Sequence, residues 1–216
     1  MAFTQISSPV ISSQAGRHRA MLTSALTWMS DEFDKYIKAT REVPWFYNER
    51  AVLGFFISGL LRRGNAIVLQ EFSCYKGKDQ KKRSDLGRAD LYFNFNGVDY
   101  LVESKWCYTL ANSRSKVDAA VKWANKALSQ ANRYARDANV KKKNVFSLCF
   151  EVIYCAEKNY RDYLKNIACW KIKKVNELCG LDFYSVIEVT NAVQKKSYRY
   201  KQDLYPALAV YGVFNR

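Results

Sequence analysis

Gly87-Arg88-Ala89-Asp90-Leu91-Tyr92-Phe93-Asn94-Phe95-Asn96-Gly97-Val98-Asp99-Tyr100-Leu101-Val102-Glu103-Ser104-Lys105-Trp106 is the stretch that decides how the chain folds. Asn-Gly between two alternating runs is the strongest short-range signal for a two-residue type I′ hairpin. With Asn96 and Gly97 in the loop, Phe95 pairs with Val98, Tyr92 with Leu101, Asp90 with Glu103 and Arg88 with Lys105. Residues directly opposite share a face with Cβ atoms ~5 Å apart, where like charges repel. Leu91, Phe93 and Phe95 take the other, apolar face. Asp90 and Glu103 therefore need a cation. Lys105 supplies one; a divalent ion held by hard oxygen ligands would do so better. A surface salt-bridge cluster of Arg88, Asp90, Glu103 and Lys105 is the competing reading, and a bulge would shift the register by one residue.

Working outward, the flanking segments read as alternating helices and strands. Helices are expected over Gln14–Ala39 and Asn48–Arg63, the second capped by Asn48 and ended by Gly64. A strand follows at Ala66–Cys74, then a basic loop, Tyr75–Arg83. After the hairpin strands come a long helix over Ser115–Ala138, a strand at Val145–Tyr154 and a helix over Tyr160–Leu178. Strands near Phe183–Val189 and Ala207–Phe214 close the chain. This order gives an α/β fold, a central mixed sheet flanked by helices. One domain spans 1–216: a helical extension (1–44), a core (45–155) and a segment completing the sheet (156–216).

Of the 216 residues 49% are hydrophobic and only 3 are proline, so a large core is expected. No apolar run reaches the ~18 residues of a membrane span, and Met1–Arg19 lacks the apolar core of an export signal. An intracellular, reducing, cytoplasmic location follows, with no membrane partner. The 6 cysteines contain no CxxC pair and sit mostly in apolar stretches, as buried reduced thiols do. A formal charge of +15 points to a polyanionic partner, above all nucleic acid. His18 is the only histidine. Histidine metal cages and Ser-His-Asp triads therefore lack material, and hydrolysis would rest on carboxylates, lysine and a hard metal ion.

Gly87-Arg88-Ala89-Asp90-Leu91 followed by Leu101-Val102-Glu103-Ser104-Lys105-Trp106 resembles the core of the PD-(D/E)xK nucleases, over roughly residues 45 to 155. Ala89 stands where the pattern nominally has proline. The family also has an acidic residue on a helix before the core. Glu49 occupies that place, on one helical face with Val52, Leu53, Phe56 and Leu60. A Glu complementing the helix dipole is the plainer account of it. Some exonuclease-like branches carry Gln-x-x-x-Tyr on the helix after the Glu-x-Lys strand. Gln130 and Tyr134 fit, on one face with Trp123 and Ala127.

The resemblance implies a restriction-endonuclease-like core and a Mg²⁺-dependent deoxyribonuclease, an endonuclease, in which Mn²⁺ can substitute. Asp90 and Glu103 would hold the ion, with the Ser104 carbonyl and Glu49 as further ligands. Lys105 would orient or deprotonate a water and neutralise charge on the phosphate, and Gln130 and Tyr134 would position it. Glu71 could support the site from the preceding strand.

Substrate contacts are expected from Lys76, Lys78, Lys81, Lys82 and Arg83 in the basic loop, from Arg88, and from Lys126 and Arg133 on the long helix. Lys116, Lys122 and Arg136 add to that helix. Lys195, Lys196, Tyr198, Arg199, Tyr200 and Lys201 interleave basic and aromatic groups, a pattern suited to backbone contact and base stacking. A homodimer or a delivering partner protein is compatible with the family. Two other classes stay open: a catalytically silent module of this fold that binds nucleic acid or protein, and a basic interaction protein of different fold.

Overall fold

The computed structural model describes residues 4–6, 8–62, 66–75, 86–110, 117–135, 138–156, 180–189, 199–200 and 203–216. The expected basic loop with Lys76, Lys78, Lys81, Lys82 and Arg83, the expected helix over 160–178, Gly64, Lys116, Arg136, Lys195, Lys196, Tyr198 and Lys201 lie outside these residues.

Among the described residues nine strands form one mixed sheet: β1 (Thr4–Ile6), β2 (Val10–Ile11), β3 (Ala66–Tyr75), β4 (Leu86–Phe95), β5 (Val98–Leu110), β6 (Val145–Ala156), β7 (Phe183–Val189), β8 (Arg199–Tyr200) and β9 (Asp203–Gly212). Seven of them lie in the order β1-β7-β9-β6-β5-β4-β3, with β2 on β7 and β8 on β9. Only β5 and β6 pair in parallel. A parallel pair needs a crossover, and helix α3 (Val117–Tyr134) supplies it.

Helices α1 (Arg19–Thr40) and α2 (Glu49–Leu61) cover one face of the sheet and α3 the other. Leu91, Phe93 and Phe95 of β4, with Val102, Phe146, Leu148 and Phe150, join the α1–α2 core. The opposite faces of β6, β7 and β9 pack on Ala120, Ala124 and Ala127 of α3. Because β6 is buried on both sides, it reads as a continuous apolar run rather than an alternation. The α1 and α2 backbones touch: a Cβ at Gly59 would sit 2.4 Å from the Ala25 carbonyl oxygen. No helix among the described residues is long and apolar enough to cross a membrane.

Asn48 caps α2 as expected, its side-chain oxygen accepting from Ala51 N at 2.9 Å. Three short strands, β1, β2 and β8, were not legible in the sequence, since two or three residues carry no periodicity. Strand β9 begins at Asp203, not Ala207. Pro206 has no N–H for a ladder, which hides the strand from a sequence reading. The chain accommodates it with a register shift opposite Ile153–Cys155.

Candidate active site

Strands β4 and β5 pair from Phe95↔Val98 to Leu91↔Val102, the register dictated by the Asn96-Gly97 turn. Both turn residues have positive φ, 52° and 77°, as a type I′ turn demands. The ladder then stops. Ser104 N–H donates to Asp90 Oδ2 at 2.7 Å, so a carboxylate stands where a strand carbonyl would continue the pairing. On its other side β4 is interrupted at the same step. Strand β3 pairs Gln70↔Leu91 and Phe72↔Ala89 but skips Glu71, whose φ is 49°. The facing of β4 changes here too: Leu91 belongs to the α1–α2 core, Ala89 to the cluster against α3.

Two expectations are corrected by this geometry. Asp90 and Glu103 are not opposed in a regular ladder; they meet where the strands part. Arg88 does not face Lys105. Its Nη1 donates to Glu71 Oε2 at 2.9 Å, and Arg50 Nε holds the other oxygen at 2.6 Å. Glu71 is thereby engaged by two arginines, one on each oxygen.

Ser104 sits at the centre. Its hydroxyl contacts both Asp90 Oδ2, at 3.0 Å, and Glu49 Oε1, in a short contact. A hydroxyl has one proton to donate. That single proton serves only one of the two contacts at a time. Glu103, only 6% exposed, accepts from Lys105 Nζ at 3.0 Å through Oε1, while its buried Oε2 has no hydrogen-bond partner. Lys105 Nζ also donates to the Ser104 carbonyl at 2.7 Å. Burial first, and Asp90 second, push the Glu103 carboxyl up to about 7, against the pull of Lys105. Negative charge here exceeds what Lys105 alone can satisfy.

Helix α3 backs the seam. Tyr134 is buried against Ala89 and Leu101, which precede Asp90 and Glu103 on their strands. Gln130, one turn before, is half-buried with an Oε1 that has no hydrogen-bond partner. Trp123, on the same helical face two to three turns earlier, is less buried: it is 38% exposed, with Lys126 Nζ 5.1 Å above its ring. Lys122, Lys126 and Arg133 are exposed on the outer side of α3. Cys107, Cys149 and Cys155 are not joined in disulfides, and the latter two are buried. Sequence reasoning missed the Ser104 hydroxyl, having assigned a role only to its carbonyl; the middle residue of a Glu-x-Lys triplet carries no signal of its own.

No family model, no curated protein and no solved structure matches the chain. The geometry and its chemistry carry the functional reading.

Among the described residues, no three His, Cys, Asp or Glu side chains close on one point as a complete metal cage. A Mg²⁺-type ion does not require one, because water and substrate phosphate fill much of its coordination shell. The residues present suit such an ion. Glu103 Oε2 is buried and unpartnered, Glu49 and Asp90 share one hydroxyl proton, and every donor atom is a hard oxygen.

Proposed function

We propose that this chain is a metal-dependent nuclease with a restriction-endonuclease-like core, hydrolysing phosphodiester bonds of DNA as an endonuclease. One observation carries the reading: a buried, incompletely satisfied Glu103 carboxylate lies beside Asp90 and Lys105 where β4 and β5 separate. Perturbed, incompletely satisfied charges of this kind cluster at functional sites, which supports the reading. The excess of basic residues, +15 over the chain, suits a polyanionic substrate.

Asp90 and Glu103 would hold the ion, with Glu49 joining through water or a second ion. When bound, Mg²⁺ or Mn²⁺ supplies a Lewis acid for a phosphoryl oxygen and lowers the pKa of a coordinated water. The chain's own residues do the rest. Lys105 Nζ, fixed by Glu103 Oε1 and the Ser104 carbonyl, keeps one proton uncommitted and would neutralise charge growing on the phosphate. Ser104 aligns Asp90 with Glu49, and its carbonyl orients Lys105, a different task from the metal ligation expected of it. Gln130 offers an uncommitted amide oxygen for a water or the lysine. Lys126 and Arg133 are exposed for backbone contact, whereas Arg88 is engaged with Glu71.

The test is cleavage of plasmid and of end-labelled linear DNA in Mg²⁺, Mn²⁺ or EDTA, comparing wild type with Glu103→Ala and Lys105→Ala. Metal-dependent nicking of plasmid, lost in both variants, supports the endonuclease. Absence of cutting in every metal, with salt-sensitive DNA binding retained, would move the conclusion to a silent binding module.

A further inference from the structure

At the other end of the same hairpin lies a cleft of about 520 Å³, in the size range of small-ligand sites. It is bordered by the Gly97–Tyr100 start of β5, by Arg17 and His18 ahead of α1, and by Lys141, Lys143 and Asn144 ahead of β6. Tyr100 and Lys105 are five residues apart on one strand, about 17 Å, so this cleft is separate from the carboxylate seam.

Its chemistry is that of a donor-rich, positively charged hollow. Among the described residues, Arg17, Lys141 and Lys143 take part in no ion pair. Among the described residues the lining carries one carboxylate, Asp99, whose Oδ1 accepts from Tyr92 Oη and Asn94 Nδ2, each at 2.7 Å, against these three cations. His18 shows how the hydrogens are arranged. Arg17 Nε is always protonated and lies 2.9 Å from His18 Nε2, so Nε2 must accept. The neutral ring then carries its proton on Nδ1, which donates to Tyr100 Oη at 3.2 Å. Tyr100 Oη, having accepted, keeps its own proton free to donate. Arg17 Nη2 donates to the Lys143 carbonyl at 3.3 Å, and its remaining Nη hydrogens, two ammonium groups and this hydroxyl leave a surplus of donors on one lining.

We infer that this cleft is a second binding site, for a phosphate group carried by a nucleotide or by the end of a nucleic-acid strand. Three cations facing one carboxylate select an oxyanion, and Arg with two Lys matches the several oxygens of a phosphate. His18, on the lining, is held in place by stacking on Phe214, with ring centroids 4.0 Å apart. Binding here does not depend on the proposed cleavage chemistry.

The experiment is a titration in EDTA followed by amide chemical shifts, with inorganic phosphate, thymidine 5′-monophosphate, and one oligonucleotide with and without a 5′-phosphate. Wild type is compared with the Lys141→Gln/Lys143→Gln protein, whose exposed substitutions leave the core untouched. Saturable shifts confined to Gly97, Asn139 and Asn144, with affinity at least tenfold weaker in the variant, are expected. A response to the mononucleotide identifies a free nucleotide as ligand; a response only to the 5′-phosphorylated oligonucleotide identifies a strand end. Non-saturating shifts with every probe, or unchanged affinity in the variant, overturn the assignment. A loss of DNA cleavage in Glu103→Ala leaves these titrations unaffected, so the two readings fail separately.

Discussion

The β4–β5 hairpin carries a carboxylate at each end, and the two are treated in opposite ways. Near the turn, Asp99 Oδ1 receives Asn94 Nδ2 and Tyr92 Oη, both at 2.7 Å. These donors, Asn94 first, hold its carboxyl below the usual range. At the open end, Glu103 is buried beside Asp90, with one oxygen on Lys105 and the other without a partner, and its carboxyl rises to about 7. The same two strands thus build one acid that is satisfied by the fold and one that the fold leaves in need. A satisfied acid contributes to stability; an acid crowded by like charge stores a demand that only a cation or proton can meet.

The largest expected effects break the open end. Glu103→Gln should reduce metal-dependent cutting at least about 100-fold, as loss of a transition-state-stabilising group typically does. In metal-free buffer it should also raise the unfolding midpoint, because a buried charge facing Asp90 is gone. Lys105→Met should lose cutting by a similar factor but lower the midpoint, since Glu103 then has no cation. Both measurements are a plasmid-nicking rate and a thermal melt in EDTA. A Glu103→Gln protein that is less stable than wild type would show that the seam is an ordinary salt bridge.

A mid-sized effect comes from His18, buried at the turn end and stacked on Phe214. Burial first, then Arg17, lower its pKa from 6.5 to about 4, against the Lys143 carbonyl and Asp182. The unfolded chain therefore binds the proton more tightly, and stability is present in full above pH 6.5. It falls as pH drops from 6.5 toward 4, by up to about 3 kcal/mol at ~1.4 kcal/mol per unit. Denaturant melts at pH 7, 5.5 and 4, in the Glu103→Gln background, should show this slope, and His18→Phe should flatten it. An unchanged slope in His18→Phe would mean that another group titrates there.

How much of this was legible in the sequence follows from the range of each signal. The hairpin register, the Asn48 cap and the main strands come from local patterns, and local turn chemistry fixes them. The break at Asp90 does not. It depends on Glu71, a residue nineteen positions earlier, adopting positive φ on a neighbouring strand and on two arginines neutralising it. The Ser104 hydroxyl between Glu49 and Asp90 likewise requires knowing how α2 docks on the sheet. Trp123 and Tyr134 also show the limit. Their spacing places both near one helical face, yet Trp123 is 38% exposed while Tyr134 is buried, a difference that helical periodicity does not carry.

The smallest effect tests the satisfied end. Tyr92→Phe removes one of the two donors to Asp99 without changing the ring that packs against Phe72. A hydrogen bond to a charged acceptor is worth ~1.5–3 kcal/mol, less where water can replace it. Asp99 is half-buried and keeps Asn94, so a loss of about 1 kcal/mol is expected, read as a lower denaturant midpoint with an unchanged slope. DNA cutting should stay within about twofold of wild type, because the turn end touches no reacting group. If cutting fell with stability, the two ends of the hairpin would be coupled through the β4–β5 ladder, and the opposition between a structural and a functional acid would have to give way to a single cooperative unit.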